Sequence, residues 1–489
     1  MHSIFTNKII PEITYALFIA MGAIEASWGI GQIYGLFDSN HIWYAQTGSF
    51  YNPGPYAGFL AICLPVCLHT WLRPSTKKNS ILQRIGLFTT ILILCILPST
   101  MSRTAWVAAC ISSTYIITKC NTFLTKEFRN RINQYAKLSS IFLVIILTCI
   151  FIFFYFIKKD SANGRFLIWK IATQAIIEEP LTGYGWDYVA GAYGDAQEKY
   201  FSAEKFTETE TYVAGAPEYV FNEYLQVAMA WGIPALLFIL LINFFCFYIL
   251  NKEKEYGLSG AMISLSLFCC ASYPFQFIEF VIALLLLLTT GLFSCIKHYG
   301  KRWKLLPIIT ACCLCLVCLK IIQIKHERNK LNKDWERHQA YYQKENYKET
   351  IIRYANHYEN MIWNGIFLFE YGYALHKEGL YEKSNKILKE AIKVSSEPMI
   401  LNIIGKNYQA LGNNKEAEIF YLRSCNRIPN RIYPYYLLFK LYTDTKDFTE
   451  DKARWAAQTI LNKKPKVEST ATMQMKEEAQ NYIEQLSIL

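Results

Sequence analysis

The stretch NGRFLIWKIATQAIIEEPLTGYGWDYV, Asn163 to Val189, follows closely on SSIFLVIILTCIFIFFYFI, residues 139–157. The earlier run is long and apolar enough to cross a bilayer. The later one is not: it sets Arg165, Lys170, Glu178 and Glu179 among apolar residues at helical spacing, then breaks at Pro180, Gly183 and Gly185. Asn163 and Gly164 suit a helix start and place Arg165 at its mouth. The chain therefore leaves a membrane and builds a helix outside it. This predicts an all-α protein in which a polytopic helix bundle carries a water-exposed segment.

The rest of the chain divides accordingly. Of 489 residues, 53% are hydrophobic, and the long apolar runs lie almost entirely within 1–322. Residues 1–325 read as a membrane domain with a large loop at 158–230, and 330–489 as a charged, helical, soluble domain. The net charge of +11 sits largely in short loops between apolar runs, so topology explains it better than nucleic-acid binding. The first run begins near Ile9 after one lysine, without a small-residue cleavage site, and reads as a retained helix. Most of the fifteen cysteines lie inside apolar runs, where they act as small hydrophobes. No CxxC pair stands beside histidines, so neither a zinc site nor a structural disulfide is expected.

About nine spans are expected: 10–34, 56–72, 83–99, 103–119, 138–157, 231–250, 258–274, 276–296 and 304–322. Lysine and arginine crowd the segments 73–84, 119–137, 251–257 and 297–304, whereas 37–55 and 272–276 have none. In a nine-span count all the basic segments fall on one side, which puts the N-terminus in the cytoplasm. The 158–230 loop and the C-terminal domain then lie outside. On that side the membrane domain has two arginines, Arg103 in PSTMSRTAWVAA and Arg165. Free N–H groups at a helix start and a guanidinium both favour an anion. The plainer reading of each arginine is a headgroup anchor.

Four blocks in order carry a family likeness: GSFYNPGPYAGFLAICLPVCL (48–68), SRTAWVAA (102–109), the Arg165 stretch with its Pro-Leu-x-Gly-x-Gly, and FNEYLQVAMAWGIPALLF (221–238). Together the sequence resembles the O-antigen ligase and polymerase-like superfamily of bacterial inner-membrane glycosyltransferases over about residues 40–300. The resemblance implies a GT-C-like helical bundle whose site faces the periplasm. It implies transfer of a glycan from undecaprenyl diphosphate to an acceptor hydroxyl, with no cofactor, metal or nucleotide sugar. Arg103 and Arg165 would bind the diphosphate and stabilise the charge developing on it. Ser102, Gly164, Trp169, Gly183, Gly185 and Asn222 would line the substrate.

One position departs from the pattern. Ligases of this family carry a histidine just before the Asn of the fourth block, and here Phe221 stands there. Either a carboxylate serves as base, with Glu218, Glu223 and Asp187 the candidates, or little base assistance is needed. Each acid also reads as an ordinary loop charge, and Glu223 as one matched to a helix dipole. His41 reads as a surface residue. Glu25 and Glu279 are ionisable residues near membrane depth, where such groups tend to face an interior or a cavity. Glu208 and Glu210 would share a face on a strand and hold a cation, or else belong to a mobile acidic lid. The Tyr- and Phe-rich segment 200–224 reads as an interfacial belt or as stacking platforms for sugars.

The tail repeats. Gly372 matches Gly405, Gly379 matches Gly412, Ser384 matches Ala417 and Ala391 matches Ser424, each at an offset of 33. That period, with small residues where helices must approach, predicts a tetratricopeptide-like α-solenoid, with degenerate units at 337–361 and 433–461. Its concave face suits a protein or peptide partner, and in a protein glycosylase the tail would help present acceptors. The expected activity is thus a ligase-like transfer, with a polysaccharide polymerase or protein O-oligosaccharyltransferase as alternatives. A transporter or a membrane-anchored scaffold is the non-enzymatic alternative.

Overall fold

The computed structural model describes residues 9–73, 80–120, 159–203, 206–296, 305–445, 447–466 and 468–488. All regular structure among them is helical. They fall into two compact units. One comprises residues up to 157 with 221–224 and 236–324, the other 158–220 with 225–235 and 325–489.

The first unit contains α1 (Ile9–Ile33), α2 (Pro53–Leu72), α3 (Ser80–Ile96), α4 (Arg103–Cys120), α9 (Tyr256–Cys269), α10 (Ile278–Ile296) and most of α8 (Glu223–Lys252). It closes around α2, which packs against α1, α3, α4 and α9 and is buried almost throughout. The N-terminus of α2 follows from its sequence: Asn52 accepts from the Gly54 N–H and Pro53 takes the first turn, where its missing N–H costs nothing. Glycines set the close crossings, with Gly58 against the Phe268 ring and Gly260 against Pro65 and Ile116. Several buried polar groups in this apolar body find partners close by. Glu25 accepts from the Ser49 N–H and hydroxyl, Gln32 from the Thr47 and Gly48 N–H groups, and Ser264 donates to the Ala61 carbonyl. Glu25 is thus buried as its depth suggested, while Glu279 is half-buried at the start of α10.

Among the described residues four helices are long and apolar enough to cross a bilayer: Ile9–Ile33, Pro53–Leu72, Ile81–Thr100 and Glu223–Lys252. Tyr256–Cys269 and Ile278–Ser294 are shorter apolar helices. Along α8 the side chains of Leu237, Phe238, Leu241, Phe244 and Tyr248 are exposed, an apolar face suited to lipid and costly in water. The expected span 138–157 lies outside the described residues, as do much of 73–84, nearly all of 119–137 and all of 297–304. The expected span 304–322 forms the start of α11 (Leu305–Gln343), which continues without a break into charged sequence.

In the second unit the described residues between 159 and 220 are largely helical: α5 (Lys159–Glu178), α6 (Val189–Ser202) and α7 (Glu208–Val213). Here the sequence reading is corrected at one point. Asn163 and Gly164 do not open α5 but lie inside it, because the buried stripe of Leu167, Ile171, Ala172, Ala175 and Ile176 supports a helix that already starts at Lys159. The tail follows as α12 (Tyr347–Ala355), α13 (Gly365–Lys377), α14 (Tyr381–Val394), α15 (Pro398–Ala410), α16 (Asn414–Arg427), α17 (Tyr433–Asp444), α18 (Glu450–Asn462) and α19 (Thr470–Ile488). The hairpins α13/α14 and α15/α16 repeat at the offset of 33 read from the sequence. Gly372 meets Leu388 where Gly405 meets Tyr421, and Gly379 and Gly412 both turn at positive φ.

Candidate active site

Arg103 is the first residue of α4 in the first unit. A short 3-10 turn at Pro98–Thr100 and a left-handed Met101 (φ 52°) reverse the chain, and the Ser102 carbonyl accepts from the Trp106 N–H at 3.1 Å. The Trp106 indole then donates to the Leu97 carbonyl at 2.9 Å and pins the turn. Arg103 is half-buried. The same construction recurs at the fourth block. Phe221 is left-handed (φ 54°), and Asn222 caps α8 by accepting from the Tyr224 N–H at 3.0 Å. A non-glycine residue in this region carries a backbone cost of about 1–3 kcal/mol, and such residues gather at functional sites. The Phe221 ring stands edge-on to Tyr273.

Glu223 is not a solvated acid. It is 2% exposed and accepts from the Phe275 N–H at 2.8 Å, so it ties the start of α8 to the turn before α10. Glu218 is exposed. Asp187, the third candidate, is held by Arg328 in a two-pronged ion pair at 2.8 and 2.7 Å.

In the second unit Arg165 lies in the second turn of α5, half-buried, one helical turn before Trp169. The Trp169 indole donates to the Val220 carbonyl at 3.1 Å, and the Val220 N–H donates to Gln226 at 3.0 Å. Both backbone groups of Val220 are thereby fixed, one by the third block and one by the fourth. Gln226 was missed in the sequence. A glutamine one turn into a helix signals nothing until its partner is known.

The glycines of the third block have a structural task. The Tyr184 and Gly185 N–H groups donate to the Met229 and Ala230 carbonyls at 2.8 and 2.9 Å, and the Ile233 N–H donates to the Pro180 carbonyl at 2.7 Å. Gly183 (φ 65°) abuts Met229 and Ala230, and Gly232 (φ 81°) kinks α8 against Leu181. Trp186 stacks on Trp231 across the same clasp. The Pro-Leu-Thr-Gly-Tyr-Gly and Trp-Gly-Ile-Pro blocks are therefore two halves of one backbone joint.

Glu208 and Glu210 are not on a strand. Glu210 closes a capping box with Thr207 at the start of α7 and accepts from Lys170 at 2.7 Å and Tyr200 at 2.9 Å. Burial opposes its ionisation, but hydrogen bonds from Lys170, Thr207 and Tyr200 outweigh that and hold its carboxyl at about 2. The same contacts raise the Lys170 ammonium. This network ties α5, α6 and α7 together. Among the described residues no group of three or more His, Cys, Asp or Glu side chains is arranged to hold a metal ion.

Comparison with curated proteins finds no match. Residues 88–240 match the family model described as O-antigen ligase. The matched stretch runs from α3 to the middle of α8 and contains Arg103, Arg165, the Pro180–Gly185 clasp and the cap at Asn222. The 48–68 block and the helical tail lie outside it. The match supports a ligase-like or polymerase-like role in glycan assembly. It implies a glycosyl-transferring activity with a lipid-linked glycan and an acceptor, carried by a membrane protein.

Proposed function

We propose that the protein transfers a glycan from undecaprenyl diphosphate to an acceptor hydroxyl at the periplasmic face of the bacterial inner membrane. The observation that carries this reading is the O-antigen ligase match, whose residues include both arginines and the left-handed residues Met101 and Phe221. The bundle has about nine spans of GT-C type, with a cytoplasmic N-terminus. The segment 158–230 and a tetratricopeptide-like tail lie in the periplasm. Transfer is metal-independent, as in the family the sequence resembles.

In the reaction the acceptor oxygen bonds to the anomeric carbon and the bond from that carbon to the diphosphate oxygen breaks, leaving the electron pair on the diphosphate. Arg103 and Arg165 stabilise this charge, with Ser102 beside the first and Gly164 and Trp169 beside the second. The acceptor proton passes to a carboxylate. We favour Glu218, whose side chain is exposed, over Glu223, whose carboxylate already accepts from the Phe275 N–H. Asn222, Gly183 and Gly185 shape the backbone around the substrate.

The test is Arg103→Ala and Arg165→Ala, singly, in the native host, with membrane levels checked and both lipid-linked and finished glycans profiled. Each substitution is expected to lower finished glycan about 100-fold at unchanged protein level. Full-length lipid-linked chains accumulate if the enzyme is a ligase or protein glycosylase, and single repeat units if it is a polymerase. Unchanged pools would leave the arginines as headgroup anchors and overturn the reading.

A further inference from the structure

The loop and the tail are parts of one unit, and the contacts between them are of a kind that holds rather than presents. α6 packs against α5, which carries Arg165, and against α14 and α16. Arg427 ends α16 with no exposed surface and pairs with Asp195 at 2.7 Å and Glu198 at 2.5 Å, both on α6. Arg423 adds a second bond to Glu198 at 2.8 Å. Gln197, fully buried between these acids, donates to the Arg427 carbonyl and to the Gly215 carbonyl, the latter at 2.9 Å.

Two glycines make the approach possible. A side chain at Gly191 would strike the Lys393 carbonyl, and one at Gly194 would crowd the Arg427 guanidinium and Ser396. Further along, Ser396 donates to the Pro217 carbonyl and Lys466 to the Ala214 carbonyl, each at 3.0 Å. At the other end Arg328 grips Asp187 and lies 4.4 Å over the Trp363 ring. The segment 187–217 is therefore fastened to the tail at five places along its length. Of these pairs Arg427–Glu198 is the most deeply buried, and a pair so far removed from water tolerates the loss of a partner badly and fixes one arrangement.

We propose that the C-terminal helical hairpins are a brace for the segment that carries Arg165, with Arg427, Gln197 and Arg328 as positioning residues. The tail then sets the rate of transfer rather than the choice of acceptor. This rests on the transferase reading for its activity readout, but not for its structural one.

The test uses the full chain in membranes and the Asp187–Arg328 pair, whose side chains are each one-third exposed, so that reversal need not prevent folding. Asp187→Arg and Arg328→Asp are made singly and together, with Arg165→Ala alongside. Membrane level, trypsin cleavage after the exposed Lys199, and turnover and KM for the lipid-linked donor are measured. Each single reversal is expected to speed cleavage and to lower turnover about tenfold or more with KM little changed, since small misplacements of a catalytic group are costly. The double reversal is expected to recover both.

Single reversals that leave cleavage and turnover at the wild-type level would overturn the brace. So would reversals that redirect transfer to a different acceptor at unchanged turnover. If Arg165→Ala transfers normally, the transferase reading fails, and the cleavage pattern still decides the brace.

Discussion

Both units of this protein are helical among the described residues and both have apolar cores, but they differ in how their buried polar groups are held. The first closes on α2 with apolar side chains and glycines, and its buried polar groups are answered mostly within neighbouring helices and turns, as Glu25 is by Ser49. The second is laced by charge: Arg427 with Asp195 and Glu198, Arg328 with Asp187, Lys170 with Glu210. In the proposed arrangement the difference follows from the medium. A helix bundle with an outward face like that of α8 gains nothing from hiding apolar surface from lipid, so shape must hold it together. A helical segment in water can hide its apolar stripe, and ion pairs then fix which partner it hides against.

The contrast can be broken at either end. The largest effect is expected in the second unit. Arg427→Ala removes the cation from between two carboxylates, of which Glu198 is largely buried, and should cost about 3–5 kcal/mol. Thermal unfolding of the full chain in detergent would show it as an early transition of the second unit alone. In the first unit the sensitive change is the addition of a methyl. Gly58→Ala places a Cβ into the Phe268 ring, itself stacked on Phe280, and should cost about 1–3 kcal/mol by overpacking. Its signature is a lowered transition of the first unit with the second unmoved.

The smallest effect is one of pH. Glu210 is held at about 2 in the folded chain against an ordinary 4.5, so it contributes stability above about 4.5 that is lost as pH falls through about 2. Acid titration should therefore loosen α7 from α5 over that window. Glu210→Gln should flatten the loss, which hydrogen exchange at Thr207–Val213 would report.

What could be read from the sequence follows the range of the interactions. The small residues spaced at an offset of 33 are a local pattern, and they fall at matching places in two helical hairpins, Gly372 against Leu388 and Gly405 against Tyr421. Asn163-Gly164 misled because cap preference is weighed over a few residues. The stripe from Leu167 to Ile176 decides the helix and outweighs the cost of an interior glycine, about 1 kcal/mol. Thr207-x-x-Glu210 is a capping-box pattern legible in the sequence, and it puts Glu210 at a helix start rather than on a strand. The remaining site contacts left no local mark. Glu223 finds its partner 52 residues away, Asp187 finds Arg328 across 141, and Asp195 finds Arg427 across 232. The clasp between Pro180–Gly185 and Trp231–Gly232 shows why two separated glycine motifs belong together, a relation that spacing alone conceals.

The most direct test of the account is reconstitution. Purified full-length protein in proteoliposomes would be given a labelled oligosaccharide on undecaprenyl diphosphate together with an acceptor, and Arg165→Ala would be run beside it. The account predicts label on the acceptor with release of an equal amount of lipid diphosphate, and a rate about 100-fold lower for Arg165→Ala. Label that crosses the bilayer still attached to its lipid, or an Arg165→Ala rate equal to wild type, would contradict it.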